Sequence, residues 1–155
     1  MDRFVREVTY VGIGLLQDWG LMCVDFAADE CKLFECDGEL STAQSSFSVP
    51  QGIAGTVSIS CQNGFMRKLS KNVLGESDRS QLSAGVLEDG LKELTNMLTG
   101  LLVARVCGDD APVRLSVPVY RTCKLTDAIN EFDEGTTFFI GDGEPIAISC
   151  RIFGK

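Results

Sequence analysis

The sequence predicts an α+β fold: one twisted, mainly antiparallel sheet with helices packed on it. The first indication is the stretch at 81–105, where leucines recur at steps of three and four, as on the buried face of a long helix. The second is a set of shorter β-capable stretches, most of which alternate between apolar and polar residues. These stretches are 42–49, 53–61, 113–120, 136–140 and 145–153. Short turns separate several of them, which favours antiparallel pairing.

Length and charge limit the possible functions. A chain of 155 residues with 45% hydrophobic residues predicts a single domain, 1–155, that buries about two-thirds of its unfolded surface. The net charge of −8 predicts that no nucleic acid is bound and favours a partner with a basic patch. No apolar run reaches the roughly 20 residues that span a bilayer, and the N-terminus lacks a secretory pattern. A cytoplasmic protein with no membrane contact is therefore expected.

The sequence contains no histidine, so it lacks the usual general base and the commonest metal ligand. Nucleophilic catalysis by Ser-His-Asp or Cys-His sets is excluded on this ground. The seven cysteines are odd in number and form no C-x-x-C motif. A zinc site using Cys31 and Cys36 is conceivable, but reduced thiols, several of them in the core, are favoured. No metal site is predicted.

Two predicted elements occupy the first part of the chain. A helix is expected over 2–19, with Asp2 as a possible N-cap and Gly20 as a possible end. Residues 21–26 are expected to form a short strand or an extended link. The acidic stretch at 27–40 predicts strand structure without a fixed register.

The middle and the end of the chain carry clearer signals. A short helix is predicted over 62–75, with Asn63 as a plausible cap and Gly75 as its end. The stretch at 122–135 is expected to be a polar connector containing one helical turn. The loop at 141–144 is of the hairpin type and predicts that the last two strands pair.

The predicted strand at 113–120 has its own pattern. Leu115, Val117 and Val119 alternate and are expected on one side of it. Pro118 indicates an edge position or a bulge, because proline cannot donate a ladder hydrogen bond.

The long helix at 81–105 organises the chain. At about 100° per residue, its leucines form one stripe. They are Leu87, Leu91, Leu94, Leu98, Leu101 and Leu102. On the opposite side, within roughly 60° of one another, lie Asp89, Glu93, Asn96 and Gly100. The leucines are expected to face the core and this second set, the outer row, to face solvent.

An outer row of this kind is most often only solvated surface. Two features favour a functional row here. Glycine in a helix interior costs about 1 kcal/mol relative to alanine, and close approach by another backbone would explain Gly100. Glu93 and Asn96 are an i, i+3 pair, so their side chains project together. The carboxylate can pair with a cation, and the carboxamide can hold a water as both donor and acceptor.

These residues resemble a known family. The segment 89–100, DGLKELTNMLTG, is similar to the D/S-x-x-x-E-x-x-N signature of the CheC/CheX chemotaxis phosphatases, with a glycine four residues after the asparagine. Its single copy makes it most like CheX. The strand at 55–60, the helix ending at Gly75 and the strand at 115–118 resemble the flanking elements of the family. The resemblance implies the α+β fold predicted above and a homodimer that pairs through its sheets.

The resemblance also implies an activity. A CheX-like chain would hydrolyse the aspartyl phosphate of a response-regulator receiver domain. Asn96 would position the attacking water, and Glu93 would pair with the receiver's lysine. Asp89 and Gly100 would support docking, and the receiver would supply Mg²⁺, so that no cofactor of its own is needed. The alternative is a non-catalytic receiver-binding or flagellar-switch-type adaptor that keeps the acidic face.

Overall fold

The sheet holds seven strands in a computed structural model that describes residues 3–27, 34, 38–76 and 81–154. The strands are β1 Val24–Phe26, β2 Glu39–Ser48, β3 Ala54–Cys61, β4 Arg114–Leu115, β5 Val119–Lys124, β6 Thr136–Gly141 and β7 Glu144–Phe153. Every pairing is antiparallel, in the order β1-β6-β7-β3-β2, and both β4 and β5 pair with the far edge of β2. The predicted α+β fold is confirmed.

Helices cover both faces of the sheet unequally. The helices are α1 Arg3–Asp18, α2 Asn63–Leu74, α3 Ala84–Cys107 and the short α4 Leu125–Ala128, which a 3-10 turn extends. The main core forms where α1, α2 and α3 pack on one face of the sheet. A smaller apolar cluster lies where α4 packs on the other. Neighbouring residues of β7 show the division, because Ile146 joins the main core and Ala147 joins the small cluster.

The helix ends differ in detail from the expectation. Gln62, and not Asn63, is the N-cap of α2, and its side chain makes no capping hydrogen bond. Gly75 ends α2 in the left-handed conformation, at φ 69°, as predicted. After α1 it is Leu21, and not Gly20, that takes a positive φ, of 51°. The predicted cap Asp2 and the cysteines Cys31 and Cys36 lie outside the described residues.

The predicted strand at 113–120 is divided into β4 and β5, with Pro118 in the gap between them. The edge position that Pro118 indicates is confirmed, since both strands lie at the end of the sheet. The three alternating apolar residues of this stretch are exposed to solvent. Leu115 is 36% exposed, Val117 83% and Val119 66%.

The long helix α3 begins and ends slightly later than the predicted 81–105. Ser83 caps it, since its hydroxyl accepts a hydrogen bond from the Val86 amide at 3.3 Å. Five of the six stripe leucines are buried, but Leu101 is 47% exposed, because it lies at the edge of the stripe beside a groove between α1 and α3. In the described part of the chain, no helix is both long and apolar enough to cross a membrane.

Candidate functional site

The outer row of α3 points away from the core, as its spacing predicts. Asp89 and Glu93 are exposed, and Asn96 and Gly100 are partly exposed. All four lie within one uninterrupted helix, so Glu93 and Asn96 project from adjacent turns of the same face. Within the described residues, no hydrogen bond or ion pair joins the Glu93 carboxylate or the Asn96 carboxamide to another group. Both side chains are therefore available to a ligand.

The charge beside the row is negative. Lys92 is the cation nearest to the row along α3, and its ammonium lies 2.8 Å from the Glu88 carboxylate. This hydrogen bond raises the pKa of Lys92. Asp89 and Glu93 have no cation within ion-pair distance in the described part of the chain. A cationic group of a partner would find two carboxylates here that are not engaged in an ion pair.

Gly100 is not required by packing within the chain. A β-carbon placed there would come no closer than 3.9 Å to the Leu115 side chain of β4, an ordinary contact. Gly90, one turn after Val86, is different, because a β-carbon there would lie 2.8 Å from the Ser70 hydroxyl of α2. The glycine at 90 thus serves the packing of α2 on α3, whereas at 100 the described residues would accept a β-carbon without strain.

An apolar pocket adjoins the row, and the sequence did not predict it. Its volume is about 310 Å³, and we call it the α2–α3 pocket. Its apolar lining is formed by Trp19, Leu69, Val73, Leu74, Val86 and Gly90, and Asp89 and Glu93 line its remaining side. The exposure of Val73, Leu74 and Val86 is evident only in the structure, and in the sequence these apolar residues cannot be told from core residues of the helices.

The thiols of the described residues take no part in this site. Cys61 and Cys150 are buried in the main core, and burial raises the pKa of the Cys61 thiol far above its usual value. The role of several cysteines as small core residues is thus confirmed for these two. Among the described residues, no group of three or more His, Cys, Asp or Glu side chains is arranged to hold a metal ion.

The family model of the chemotaxis phosphatase CheX matches residues 47–135, which include α2, α3 and the whole outer row. The chain belongs to the CheX family. The resemblance predicted from residues 89–100 is thereby confirmed, as is membership of a chemotaxis phosphatase family. A comparison with curated protein sequences gave no match.

Solved structures of CheX and CheC-like proteins share the fold. A crystal structure of the chemotaxis protein CheX from Vibrio vulnificus superposes with a TM-score of 0.71 at 17% identity, covering 98% of this chain and 97% of that one. A CheC-like superfamily protein from Shewanella sp. PV-4 gives 0.64 at 18%, covering 99% and 100%. The CheX–CheY–BeF3–Mg²⁺ complex from Borrelia burgdorferi gives 0.68 at 12%, covering 96% and 97%. At these identities the likeness shows the fold alone.

Proposed function

We propose that this chain hydrolyses the aspartyl phosphate of a CheY-like response-regulator receiver domain. Family membership supports a phosphatase, and the observation that carries the site assignment is the open Glu93–Asn96 pair on α3. In the Borrelia burgdorferi structure a CheX protein is bound to CheY, which supports a receiver domain as the partner. Mg²⁺ would belong to the receiver, as part of the substrate.

Asn96 acts on the attacking water. Its carboxamide oxygen accepts a hydrogen bond from the water, and its NH₂ group can donate one, so the water is held in line with the phosphorus. The water oxygen bonds to phosphorus, and the bond between phosphorus and the aspartate oxygen breaks. The aspartate leaves as carboxylate, and the protons of the water remain with the inorganic phosphate. Such a reaction depends mainly on positioning and charge stabilisation, which one fixed amide can provide.

Glu93 acts on the receiver and not on the phosphoryl group, because two anions would repel each other. Its carboxylate forms a charge-assisted hydrogen bond with the receiver's lysine and so orients α3 in the receiver's acidic site. Asp89 and Gly100 support docking at the two ends of the row. Because Gly100 has no side chain, the receiver backbone can approach this end of the row closely.

The test is phosphate release from a phosphorylated CheY-type receiver domain encoded by the same organism. Asn96→Ala should lower kcat about 100-fold, because the attacking water is no longer held in position. Binding of the receiver should be unchanged. Glu93→Ala should weaken binding as well as turnover, because it removes the contact with the lysine. Asn130→Ala and Glu134→Ala are matched controls, since both residues are exposed and lie outside α3.

The same experiment decides between the phosphatase and the adaptor. If the wild-type chain and the Asn96→Ala variant bind the receiver equally and neither speeds hydrolysis, the adaptor is correct. If Glu93→Ala changes neither binding nor turnover, the role given to Glu93 is wrong.

The chain is also proposed to form a homodimer through its sheet. The β5 strand pairs with β2 on one side only, and it displays Val119, with Val117 in the gap before it, to solvent. An exposed apolar edge strand can pair with a second copy. Light scattering during gel filtration should give twice the chain mass, and Val119→Lys should give the monomer. A wild-type chain that stays monomeric at micromolar concentration would contradict this.

A further inference from the structure

We propose that the α2–α3 pocket receives one ring-bearing side chain of tyrosine chemistry from the receiver domain, next to the lysine that pairs with Glu93. The inference deepens the proposed function and depends on it. It adds a second anchoring point to the site, formed by α1 and α2 as well as α3.

The size and the walls of the pocket indicate the kind of group it takes. A volume of about 310 Å³ is at the lower end of the range for small-molecule sites, so a single side chain is a better fit than a large cofactor. Trp19, Leu69, Val73 and Val86 make the walls apolar. An aromatic ring buries a large apolar area in such a space, and Trp19 offers it a second ring.

One polar atom distinguishes this pocket from a simple apolar groove. Ser70 lines it and is only 4% exposed, and within the described residues its hydroxyl has no hydrogen-bond partner. A buried hydroxyl without a partner is unfavourable. A side chain with an apolar body and a hydrogen-bonding end, such as tyrosine, would fill the pocket and give this hydroxyl a partner.

The position of the pocket indicates the source of the side chain. Asp89 and Glu93 belong both to the outer row and to the lining of the pocket, so one docked surface covers the two together. Among the described residues neither carboxylate has a cation within ion-pair distance, and the net charge of the sequence is −8, which complements a receiver surface that presents a lysine. The occupant is therefore a residue of the same receiver domain, close to its lysine.

Trp19 provides a direct measurement, because it is the single tryptophan of the chain. The probe is the CheY-type receiver domain of the same organism, activated with BeF3 and Mg²⁺, its own tryptophans replaced by phenylalanine. Binding should shift the Trp19 emission to shorter wavelength as the pocket loses water. The Asn96→Ala variant should retain the shift, because Asn96 lies outside the pocket.

Three variants test the pocket in the hydrolysis assay. Val73→Gln/Val86→Gln makes the walls polar without adding charge and should raise KM about tenfold, equal to about 1.4 kcal/mol, with kcat unchanged. Ser70→Ala should raise KM by a smaller factor. Ile129→Gln is the control: it is 37% exposed, close to the 38% of Val73, and lies outside the three helices that form the pocket.

The outcomes separate this inference from the proposed function. If the wild-type chain neither binds the receiver nor speeds hydrolysis, both are wrong. If it binds without speeding hydrolysis, the proposed phosphatase activity is wrong, and the Trp19 shift in the wild type and the double variant decides the pocket inference. If it speeds hydrolysis, but the double variant keeps its KM and its Trp19 shift, only the pocket inference is wrong, and the pocket belongs to another occupant such as a small apolar ligand. An unchanged KM in Ser70→Ala overturns the tyrosine chemistry.

Discussion

Gly100 is a residue at which stability and the proposed docking make opposite demands. Glycine within a helix costs about 1 kcal/mol relative to alanine, and the chain itself has room for a β-carbon there. Gly100→Ala should therefore raise the free energy of unfolding by about 0.5–1 kcal/mol, measured with urea. The same methyl group should raise KM for the phosphorylated receiver, because it fills the space in which the receiver backbone docks.

The control for Gly100 is Gly14 of α1, where a β-carbon would have no neighbour within 4 Å. Gly14→Ala should stabilise the chain to a similar extent and leave KM unchanged. If Gly100→Ala stabilises the fold but leaves KM at its wild-type value, then Gly100 has no part in docking. If it destabilises the fold, the glycine serves internal packing.

Single residues of α3 show where sequence reasoning succeeded and where it could not. Leucine spacing predicted the buried stripe because a helix repeats every 3.6 residues. Thr95 and Thr99 are fully buried although they are polar. Their hydroxyls donate to the carbonyls of Leu91 and Thr95, at 2.8 and 2.7 Å, within the helix itself. A hydropathy pattern does not show that a threonine hydroxyl is satisfied by a carbonyl of its own helix. The leucine stripe therefore predicts a narrower buried face than α3 has.

At the scale of elements, β5 shows what the alternation of a strand does not predict. Alternation at a period of two tells which residues share a face, but not whether that face meets the core. Strand β5 lies at the edge of the sheet, and Val119 at its start is 66% exposed. Val119 therefore lies in solvent, and the alternation in the sequence could not tell this exposed face from a buried one.

An ion pair connects the edge strand β5 to the turn after α4. Arg121 of β5 donates to the Glu131 carboxylate, and this hydrogen bond lowers the pKa of Glu131 below its usual value of 4.5. A lowered pKa in the folded state means stability that is present above pH 4.5 and lost as pH falls through the folded-state pKa. Because the pair is about half exposed, we expect at most about 1 kcal/mol from it.

Glu131→Gln should thus be less stable than the wild type at pH 7, and the difference should shrink below pH 4.5. Urea unfolding at several pH values measures this. Glu134→Gln is the control, since Glu134 is exposed and forms no ion pair in the described residues. A difference that persists unchanged at acid pH would show that Glu131 stabilises the turn by means other than its charge.

At the scale of the whole molecule, the outer row could be predicted and the α2–α3 pocket could not. The row lies on one helix, so its members keep a fixed spacing in the sequence. The pocket collects Trp19 after α1, Val73 from α2 and Val86 from α3, and no local pattern links positions so far apart. The extent of the domain, 1–155, remains a prediction, although the sheet already joins strands from residue 24 to residue 153.

Asp142 holds together the parts of the molecule that form this pocket. It lies in the β6–β7 turn at φ 48°, and its carboxylate accepts hydrogen bonds from the Cys23 amide at 2.8 Å and the Asn72 side chain at 3.1 Å. Asn72 also donates to the Gly20 carbonyl at 3.1 Å. The end of α1, α2 and the hairpin therefore meet at one carboxylate.

Asp142→Ala should lower the free energy of unfolding by about 3 kcal/mol, because it removes two hydrogen bonds to a charged acceptor and puts alanine at a positive φ. Asp142→Asn should cost less, since asparagine tolerates this φ and keeps one acceptor. Asp110→Ala, at another exposed turn, is the control. Because Trp19 and α2 are held on either side of this junction, the Trp19 emission of folded Asp142→Ala should move to longer wavelength. Wild-type stability and emission in Asp142→Ala would show that the helices hold the pocket without the hairpin.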